Sequence, residues 1–402
     1  MNIKINSLGI NKYLSGDFNM HIPEGVIVAM LTPFDDNGRI AEKEVRKLVN
    51  FLIDKGVDGI FPVSSCGEYV HLSMAERKYL IDIVVDENKG RVDIIPGTGA
   101  TCADKSIELA QFAKQKGCSA IVLHGPYFFK NISDIVEGHL KKVALSVDIP
   151  VFLYNIPFFA NEVTPEIAAN LCNIENIVGI KDSSGNMINV MNLIDMTRRI
   201  RPDFKVLVGA EEIMFPALAA GGNGCMTATA GILPEFMVAI YKNFIQGNLN
   251  KSLKLQLAIL ELIRKMKSVN FPQGFKEALS LRGINTGKPK MEFNLKLLSN
   301  LAHVKEECEF IMQNLLKQYF PQSKLKYYDS FSDNQFLFKE SDNKYLLYEK
   351  SVRSAECIDC GKCEGDCNIL NNNNSMVNKQ DLSKLVEEIS RNILKNLNKQ
   401  IN

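Results

Sequence analysis

The sequence predicts a (β/α)8 barrel that carries additional helices at its C-terminal end. Eight short runs rich in Val and Ile recur between residues 25 and 230, and longer segments with helical periodicity separate them. The runs are almost continuously apolar, as parallel strands that are covered on both faces require. Eight strand–helix units favour a closed barrel over an open doubly wound sheet, and no GxGxxG sequence follows the first run.

The predicted strands cover residues 25–31, 57–63, 92–97, 118–124, 150–155, 177–181, 205–209 and 224–229. Segments between them, such as 40–56 and 104–117, place apolar side chains at i, i+3, i+4 and i+7 and end in Gly, which is typical of amphipathic helices with a C-cap. Further segments keep this pattern after residue 231, and they cover residues 234–247, 252–268, 272–283 and 294–320. Because these exceed what the eighth barrel helix needs, we expect a helical appendage that ends near Phe320.

The composition divides the chain into an N-terminal extension (1–22), the barrel with its C-terminal helices (23–320), a small extension (321–370), and a linker with a terminal helix (371–402). In the small extension, the aromatic runs NQFLF and KYLLY flank a turn-forming ESDN and suggest a β-hairpin. In the last part, the polar spacer NNNNSMVN precedes an amphipathic helix. Its apolar stripe holds Leu382, Leu385, Val386, Ile389, Ile393 and Leu397.

The charge balance and the apolar runs argue against two classes of partner. The 47 basic and 46 acidic side chains leave a formal charge of +1, which gives no overall attraction to nucleic acid or to an anionic membrane. No apolar run approaches the roughly 20 residues that span a bilayer. Because the N-terminal residues also lack the apolar region of a secretory signal, we expect a cytoplasmic protein.

Chemistry in such a barrel takes place where strands end at its C-terminal face. The sixth predicted strand ends at Lys181, where partial desolvation would lower the pKa of the amine and make it a nucleophile. The fifth ends in Tyr154 and the residue after it, and this phenol could move protons to an imine. The alternatives are a lysine that extends to solvent and a rim tyrosine that packs through its ring. After the second strand, the turn 64–68 offers a hydroxyl and N–H groups that suit a small carboxylate.

Together these features resemble the dihydrodipicolinate synthase / N-acetylneuraminate lyase family of pyruvate-dependent class I aldolases. The similarity extends over about residues 23–320, and its motifs are VSSCGE (63–68), LYNIP (153–157), VGIKDSSG (178–185), VGAEE (208–212) and AAGGNG (219–224). The resemblance implies a (β/α)8 barrel, usually a homotetramer, whose lysine forms a Schiff base with pyruvate. The aldol chemistry of the family needs no cofactor.

Carried over position by position, the resemblance assigns Lys181 as the imine lysine and Tyr154 as the proton-transfer tyrosine. Ser65 and the amide of Cys66 correspond to the clamp for the keto-acid carboxylate, and Met226 to a residue whose backbone carbonyl faces the pyruvate site. The chemistry agrees with this assignment. An imine to pyruvate withdraws electrons, so that a methyl proton is lost and the resulting enamine adds to an aldehyde.

Two positions bear on the substrate. Dihydrodipicolinate synthases carry an arginine five positions after the catalytic tyrosine, where this chain has Phe159, and an apolar ring does not bind a carboxylate. Sialic-acid lyases also have an apolar residue there, together with an acidic pair after the seventh strand that Glu211 and Glu212 match. By analogy, this favours a hydroxylated, sugar-like 2-oxo acid.

Two departures from the family pattern bear on proton transfer. Cys66 stands where the family has the second threonine of its TTGE or STGE turn, and Phe128 stands where a tyrosine from a neighbouring subunit completes a proton relay. Without that phenol, Tyr154 must exchange protons through water, the substrate or Tyr127. We expect imine formation to survive and turnover to be reduced or altered.

The C-terminal part contains two further features. Four cysteines form a C-x2-C-x2-C-x3-C run similar to that of bacterial ferredoxins, although Asn368 replaces the usual proline; they are Cys357, Cys360, Cys363 and Cys367. A single 4Fe–4S cluster, a Zn site with four thiolates and a reducible thiol patch remain open as interpretations. The terminal helix (380–398) resembles the encapsulation peptides of bacterial microcompartment enzymes; it would bind the shell or, alternatively, dock within its own barrel or oligomer.

Three functional hypotheses follow. The first is a Schiff-base-forming pyruvate lyase or aldolase that acts on a 2-oxo acid such as a deoxy sugar acid. The second is a dihydrodipicolinate synthase-like condensing enzyme, against which Phe159 argues. The third is a non-catalytic barrel that serves as a scaffold or as microcompartment cargo, against which the intact Lys181, Tyr154 and Ser65 argue.

Overall fold

The computed structural model describes residues 21–288 and 290–325. The predicted cysteine cluster, the predicted hairpin and the predicted terminal helix (380–398) lie outside these residues, as does nearly all of the N-terminal extension. No helix in the described part of the chain is both long enough and apolar enough to cross a bilayer.

Eight parallel strands form the centre of the described fold. Every predicted run coincides with one of them, and only β6 extends beyond its run, by one residue. Their bounds are β1 Gly25–Ala29, β2 Gly59–Phe61, β3 Asp93–Ile94, β4 Ile121–His124, β5 Val151–Asn155, β6 Ile177–Asp182, β7 Lys205–Val208 and β8 Gly224–Thr227. Nearly all of their residues are buried, because helices cover the outside of the sheet and side chains fill its inside.

The sheet closes on itself. Its hydrogen-bonded order is β3-β2-β1-β8-β7-β6-β5-β4, which leaves β3 and β4 at the two ends. These ends meet, because Ser119 N–H donates to the Ile94 carbonyl at 2.9 Å. Val122 N–H likewise donates to the Pro96 carbonyl at 2.9 Å. The predicted (β/α)8 barrel is therefore confirmed.

Helices follow the strands as the periodicity predicts. Those of the barrel wall are α1 Glu42–Asp54, α2 Met74–Asn88, α3 Ala103–Gln115, α4 Ser133–Leu145, α5 Pro165–Leu171, α6 Met187–Ile200, α7 Met214–Ala219 and α8 Thr229–Ile232. The four that come after them are α9 Pro234–Ile245, α10 Leu249–Met266, α11 Gln273–Ser280 and α12 Leu295–Tyr319. The predicted helical appendage is confirmed, and its last helix ends one residue before Phe320.

The appendage packs as part of the core. Cys308, Met312 and Leu316 of α12 are buried in the same apolar cluster as Ile259 and Leu262 of α10. Residues 267–275, which connect α10 to α11 and begin α11, reach the C-terminal face of the barrel, because several of their side chains line its cavity. The appendage therefore contributes to the site as well as to the core.

Candidate active site

A cavity of about 490 Å³ opens at the C-terminal ends of the strands. Every residue predicted for catalysis or substrate binding lines it. These residues are Lys181, Tyr154, Ser65, Cys66, Met226, Glu211, Glu212 and Phe159. The barrel thus brings together side chains from five separate strand ends, which the sequence alone could place only by analogy.

Lys181 lies at the floor of this cavity. The β5–β6 register pairs it with Tyr154 on the neighbouring strand, so the two side chains project side by side. The amine Nζ lies 4.2 Å from the centre of the Tyr154 ring and 4.8 Å from that of Phe61. Lys181 is only 3 % exposed. A buried amine that lies between two aromatic rings and lines the cavity is positioned for nucleophilic attack on a bound carbonyl.

The loop after Lys181 is held by the next residue, Asp182. Its fully buried carboxylate accepts hydrogen bonds from the Asn155 amide at 2.7 Å and from the Asn189 amide at 2.8 Å. The Ser184 hydroxyl donates to it at 2.5 Å. Because Asn155 ends β5 and Asn189 lies in the first turn of α6, this network fixes the end of the lysine strand relative to the tyrosine strand.

A glycine makes room for the lysine. A Cβ atom on Gly209, which follows β7, would overlap Ser183 Oγ and would lie 2.6 Å from Lys181 Cε. The Ser183 hydroxyl is itself 3.5 Å from the Tyr154 hydroxyl. Gly209 is therefore required for the present position of the lysine, and this explains the Gly of the VGAEE motif in physical terms.

The turn 64–68 presents the predicted carboxylate clamp. Ser64 Oγ accepts a hydrogen bond from Gly67 N–H at 3.0 Å and donates to the Met30 carbonyl at 2.8 Å, which closes the turn. Ser65 and Cys66 then face the cavity. The Cys66 thiol donates to the Ala29 carbonyl at 3.0 Å, and burial raises its pKa to about 11, so it remains a neutral thiol. In the predicted clamp, the backbone N–H of Cys66 rather than its sulfur would bind the carboxylate.

A buried ion pair supports the far side of this turn. Glu68 contacts the ammonium group of Lys276 from α11, and both residues are at most 4 % exposed. Burial lowers the pKa of the Lys276 amine, and the attraction to Glu68 offsets this only in part. The pair joins the appendage to the turn that carries the clamp.

The acidic pair has a cation that the sequence did not predict. Lys267 Nζ, at the end of α10, lies 2.7 Å from Glu212 Oε1 and 3.2 Å from Glu211 Oε2. Glu211 is buried and also accepts a hydrogen bond from Thr229 N–H at 3.3 Å. Burial lowers the pKa of the Lys267 amine, but the two carboxylates outweigh it, so the pKa is raised overall. We call these three residues the Glu–Glu–Lys cluster.

Aromatic rings form one wall of the cavity. Phe159 lies against Phe271, with ring centres 5.7 Å apart, and Phe271 lies against Phe275 at 6.0 Å. Phe159 is 57 % exposed, as a rim residue that meets substrate would be. Phe271 and Phe275 were not predicted, because they belong to the appendage and to no motif.

Phe128 does not line the cavity. It is 88 % exposed and adopts a positive φ of 83°, and its ring contacts Phe129. The phenol nearest to this region is Tyr127, which contacts the rings of Tyr69 and His124. Tyr69 hydrogen-bonds to His124 Nε2 at 2.8 Å, so this neighbouring polar pair is buried beside the site.

The described residues contain no group of three or more His, Cys, Asp or Glu side chains that could hold a metal ion. This finding does not reach the predicted cysteine cluster. A metal or iron–sulfur site at Cys357, Cys360, Cys363 and Cys367 stays a prediction.

Comparison with known proteins agrees with the geometry. The model of the dihydrodipicolinate synthetase family matches residues 22–306. A 4-hydroxy-tetrahydrodipicolinate synthase of Methanopyrus kandleri is 36% identical over 270 residues, which are 66% of this chain and 89% of that protein. The probable 2-dehydro-3-deoxy-D-pentonate aldolase YjhH of Escherichia coli is 33% identical over 240 residues, which are 59% of this chain and 80% of that protein. The structure of YagE, a prophage protein of this family from Escherichia coli in complex with pyruvate, has a TM-score of 0.67 and 29% identity, and the match covers 73% of this chain and 98% of that one.

Proposed function

Because the chain belongs to the dihydrodipicolinate synthetase family, we propose that it is a class I aldolase or lyase that forms a Schiff base with pyruvate through Lys181. One observation carries this proposal. The Lys181 amine is buried beside Tyr154 in a cavity that also contains Ser65 and Cys66, the groups proposed to hold a carboxylate. The pyruvate complex of YagE supports pyruvate as the donor substrate.

The residues divide the proposed reaction among them. The neutral Lys181 amine attacks the ketone carbon of pyruvate, and the carbinolamine loses water when Tyr154 delivers a proton to its hydroxyl group. The imine then loses a methyl proton, and the enamine carbon forms a bond to the aldehyde carbon, whose oxygen takes up a proton. Hydrolysis of the imine releases the 2-oxo acid and restores the amine. Cleavage runs through the same steps in reverse.

We propose a hydroxylated 2-oxo acid, such as a deoxy sugar acid, as the condensation product. Phe159 places an apolar ring where a clamp for an acidic aldehyde would need a cation. Glu211 and Glu212 line the cavity and can accept hydrogen bonds from substrate hydroxyls. One relative is named a probable 2-dehydro-3-deoxy-D-pentonate aldolase, and the compound in that name is a deoxy sugar acid.

A dihydrodipicolinate synthase-like condensation is the second candidate, because several relatives carry that name. A screen of aldehydes separates the two. A hydroxylated aldehyde should be the better acceptor under the first proposal, and an aldehyde that carries a carboxylate under the second.

Trapping of the imine tests the proposed function. Borohydride reduction in the presence of pyruvate should add the mass of one reduced pyruvate to the wild-type chain, at Lys181, and should leave Lys181→Ala unmodified. An equal adduct on Lys181→Ala would remove the lysine assignment. Absence of any adduct on the wild-type chain would favour the alternative of a non-catalytic scaffold.

Assembly and location complete the proposal. We infer a homo-oligomer, in the family form a tetramer, and a cytoplasmic location, with the terminal helix (380–398) directing the enzyme to a microcompartment shell. Sedimentation tests the oligomeric state. Deletion of residues 378–402 tests the role of the terminal helix and should abolish co-localisation with the shell. Iron and zinc analysis of anaerobically purified protein tests the cysteine cluster.

A further inference from the structure

Lys267 is a cation that the proposed pyruvate chemistry does not use. It comes from the end of α10, lines the cavity and pairs with both Glu211 and Glu212. The acidic pair begins two residues after Gly209, the glycine that lies against Lys181. The Glu–Glu–Lys cluster therefore lines the same cavity as Lys181.

The appendage holds this cluster in place. Gln256, also on α10 and 2 % exposed, donates from Nε2 to the Glu211 carbonyl at 3.1 Å and accepts at Oε1 from Phe215 N–H at 3.0 Å. Glu211 is fixed at its carboxylate by Thr229 and Lys267. A site whose groups are held by backbone and buried side chains binds with little loss of side-chain freedom.

The chemistry of the cluster suits a particular ligand. Carboxylates only accept hydrogen bonds and an ammonium group only donates them, whereas each hydroxyl of a polyol does both. Two adjacent hydroxyl groups can therefore donate to the glutamates and accept from the lysine. A phosphate or carboxylate would face two negative charges for one positive charge and would be repelled.

From this arrangement we propose that Lys267 is a specificity-determining residue, which together with Glu211 and Glu212 binds adjacent hydroxyl groups on the aldehyde-derived half of the substrate. The inference rests on the proposed function, because it concerns the second substrate of the same cavity. It adds to that function a residue from the helical appendage that no motif of the barrel contains.

The test compares two aldehydes in condensation with pyruvate. For D-glyceraldehyde, which has adjacent hydroxyl groups, Lys267→Met should lower kcat/KM about 10- to 100-fold, as the loss of a charged hydrogen bond does. For propanal, which has none, kcat/KM should change less than threefold, about the effect of a small shift in the cavity wall. Lys267→Arg should restore part of the preference, and Lys265→Met, whose amine pairs with Glu307 outside the cavity, should behave as wild type.

Two measurements keep this inference separate from the proposed function. Pyruvate trapping at Lys181 should be unchanged in Lys267→Met, and loss of the adduct there would show that Lys267 serves the pyruvate half instead. Saturation-transfer NMR measures the binding of erythritol and needs no turnover. The saturation-transfer signal of erythritol should be strong with the wild-type chain and weak with Lys267→Met. Equal erythritol binding, or an equal loss for both aldehydes, would overturn the inference even where trapping at Lys181 succeeds. Failure of trapping in wild type would overturn the proposed function, while the erythritol result would still decide the role of Lys267.

Discussion

At the scale of single residues, the space around Lys181 depends on one neighbour without a side chain as much as on the chemistry of the others. Gly209 lies against Lys181 Cε and Ser183 Oγ, while Tyr154 and Phe61 enclose the amine. The lysine side chain therefore lies against a residue without a side chain on one side and is enclosed by two aromatic rings at its amine. Reactivity at this site depends on geometry that a single methyl group would disturb.

Gly209→Ala should slow imine formation. The added Cβ would lie 2.6 Å from Lys181 Cε and would overlap Ser183 Oγ, so the lysine must move. A displacement of this kind costs on the order of 100-fold in rate. Single-turnover trapping with pyruvate and borohydride measures it. Gly138→Ala on α4, where a Cβ meets nothing within 4 Å, is the matched control and should trap pyruvate at the wild-type rate. Equal rates for both variants would show that the lysine does not need this space.

A buried histidine should make the fold sensitive to acid. Burial lowers the pKa of His124 to about 4 from its ordinary 6.5, and the hydrogen bond of the ring to the Gly125 carbonyl offsets this only in part. The unfolded chain binds this proton below pH 6.5 and the folded chain does not, so stability is lost as pH falls from 6.5 to 4, by about 3 kcal/mol.

Denaturant unfolding between pH 7 and pH 4 measures this loss. His124→Gln keeps an acceptor for Tyr69 but no titrating group, and it should flatten the pH dependence. Burial also lowers the pKa of His139, so part of the slope should remain. The exposed His303→Gln should follow the wild-type curve. A His124→Gln curve as steep as that of wild type would contradict the explanation.

Residues carried by short contiguous motifs were the predictable part of the site. Lys181, Tyr154 and Ser65 each end a strand or begin the following turn, and strand ends of a barrel converge on one face. Lys267 and Phe271 could not be found in this way. They follow a helix of ordinary amphipathic pattern, and only the packing of the appendage brings them to the cavity.

At the scale of elements, seven of the eight predicted strands were longer than those observed, and β6 was one residue longer than predicted. The run 92–97 contains only the two-residue strand β3, because Pro96 has no N–H to donate and interrupts the ladder, and Gly97 forms an isolated parallel bridge with Val122. A Cβ on Gly97 would collide with the Val63 carbonyl, so the two strand ends are closer than side chains allow. Apolar composition predicts that a run is buried. The register of the neighbouring strands decides how many of its residues form the hydrogen-bonded ladder.

The ion pair between α11 and the clamp turn should matter for stability. Lys276→Met would leave the Glu68 carboxylate buried and without its cation, which costs about 3–5 kcal/mol. Lys290→Met is the matched control: its amine also lies over the Phe34 ring but pairs with the more exposed Glu76, and its loss should cost at most about 1 kcal/mol. Urea unfolding measures both. Similar small losses would show that Glu68 finds other partners when Lys276 is absent.

At the scale of the whole molecule, the family match covers the barrel and reaches into the appendage, over residues 22–306. The match to the Methanopyrus kandleri relative covers 89% of that protein but 66% of this chain. The described barrel, its cavity and its appendage lie within residues 21–325. The family model ends at residue 306, so the residues after 325 lie outside the part of the chain that it matches.

A chain that ends at residue 325 should therefore fold and trap pyruvate as the full-length chain does. A chain that ends at residue 290 should not, because it lacks α12, whose buried Val304, Cys308, Met312 and Leu316 pack against α10 and α11. Loss of these four side chains, at about 1.5–3 kcal/mol each, is comparable to the whole unfolding free energy of an ordinary domain. Circular dichroism melting and borohydride trapping follow both properties. If the longer truncation product failed to trap pyruvate, residues beyond 325 would have to contribute to the active site. Since every cavity residue among those described lies between 29 and 275, we expect the barrel chemistry to be independent of them.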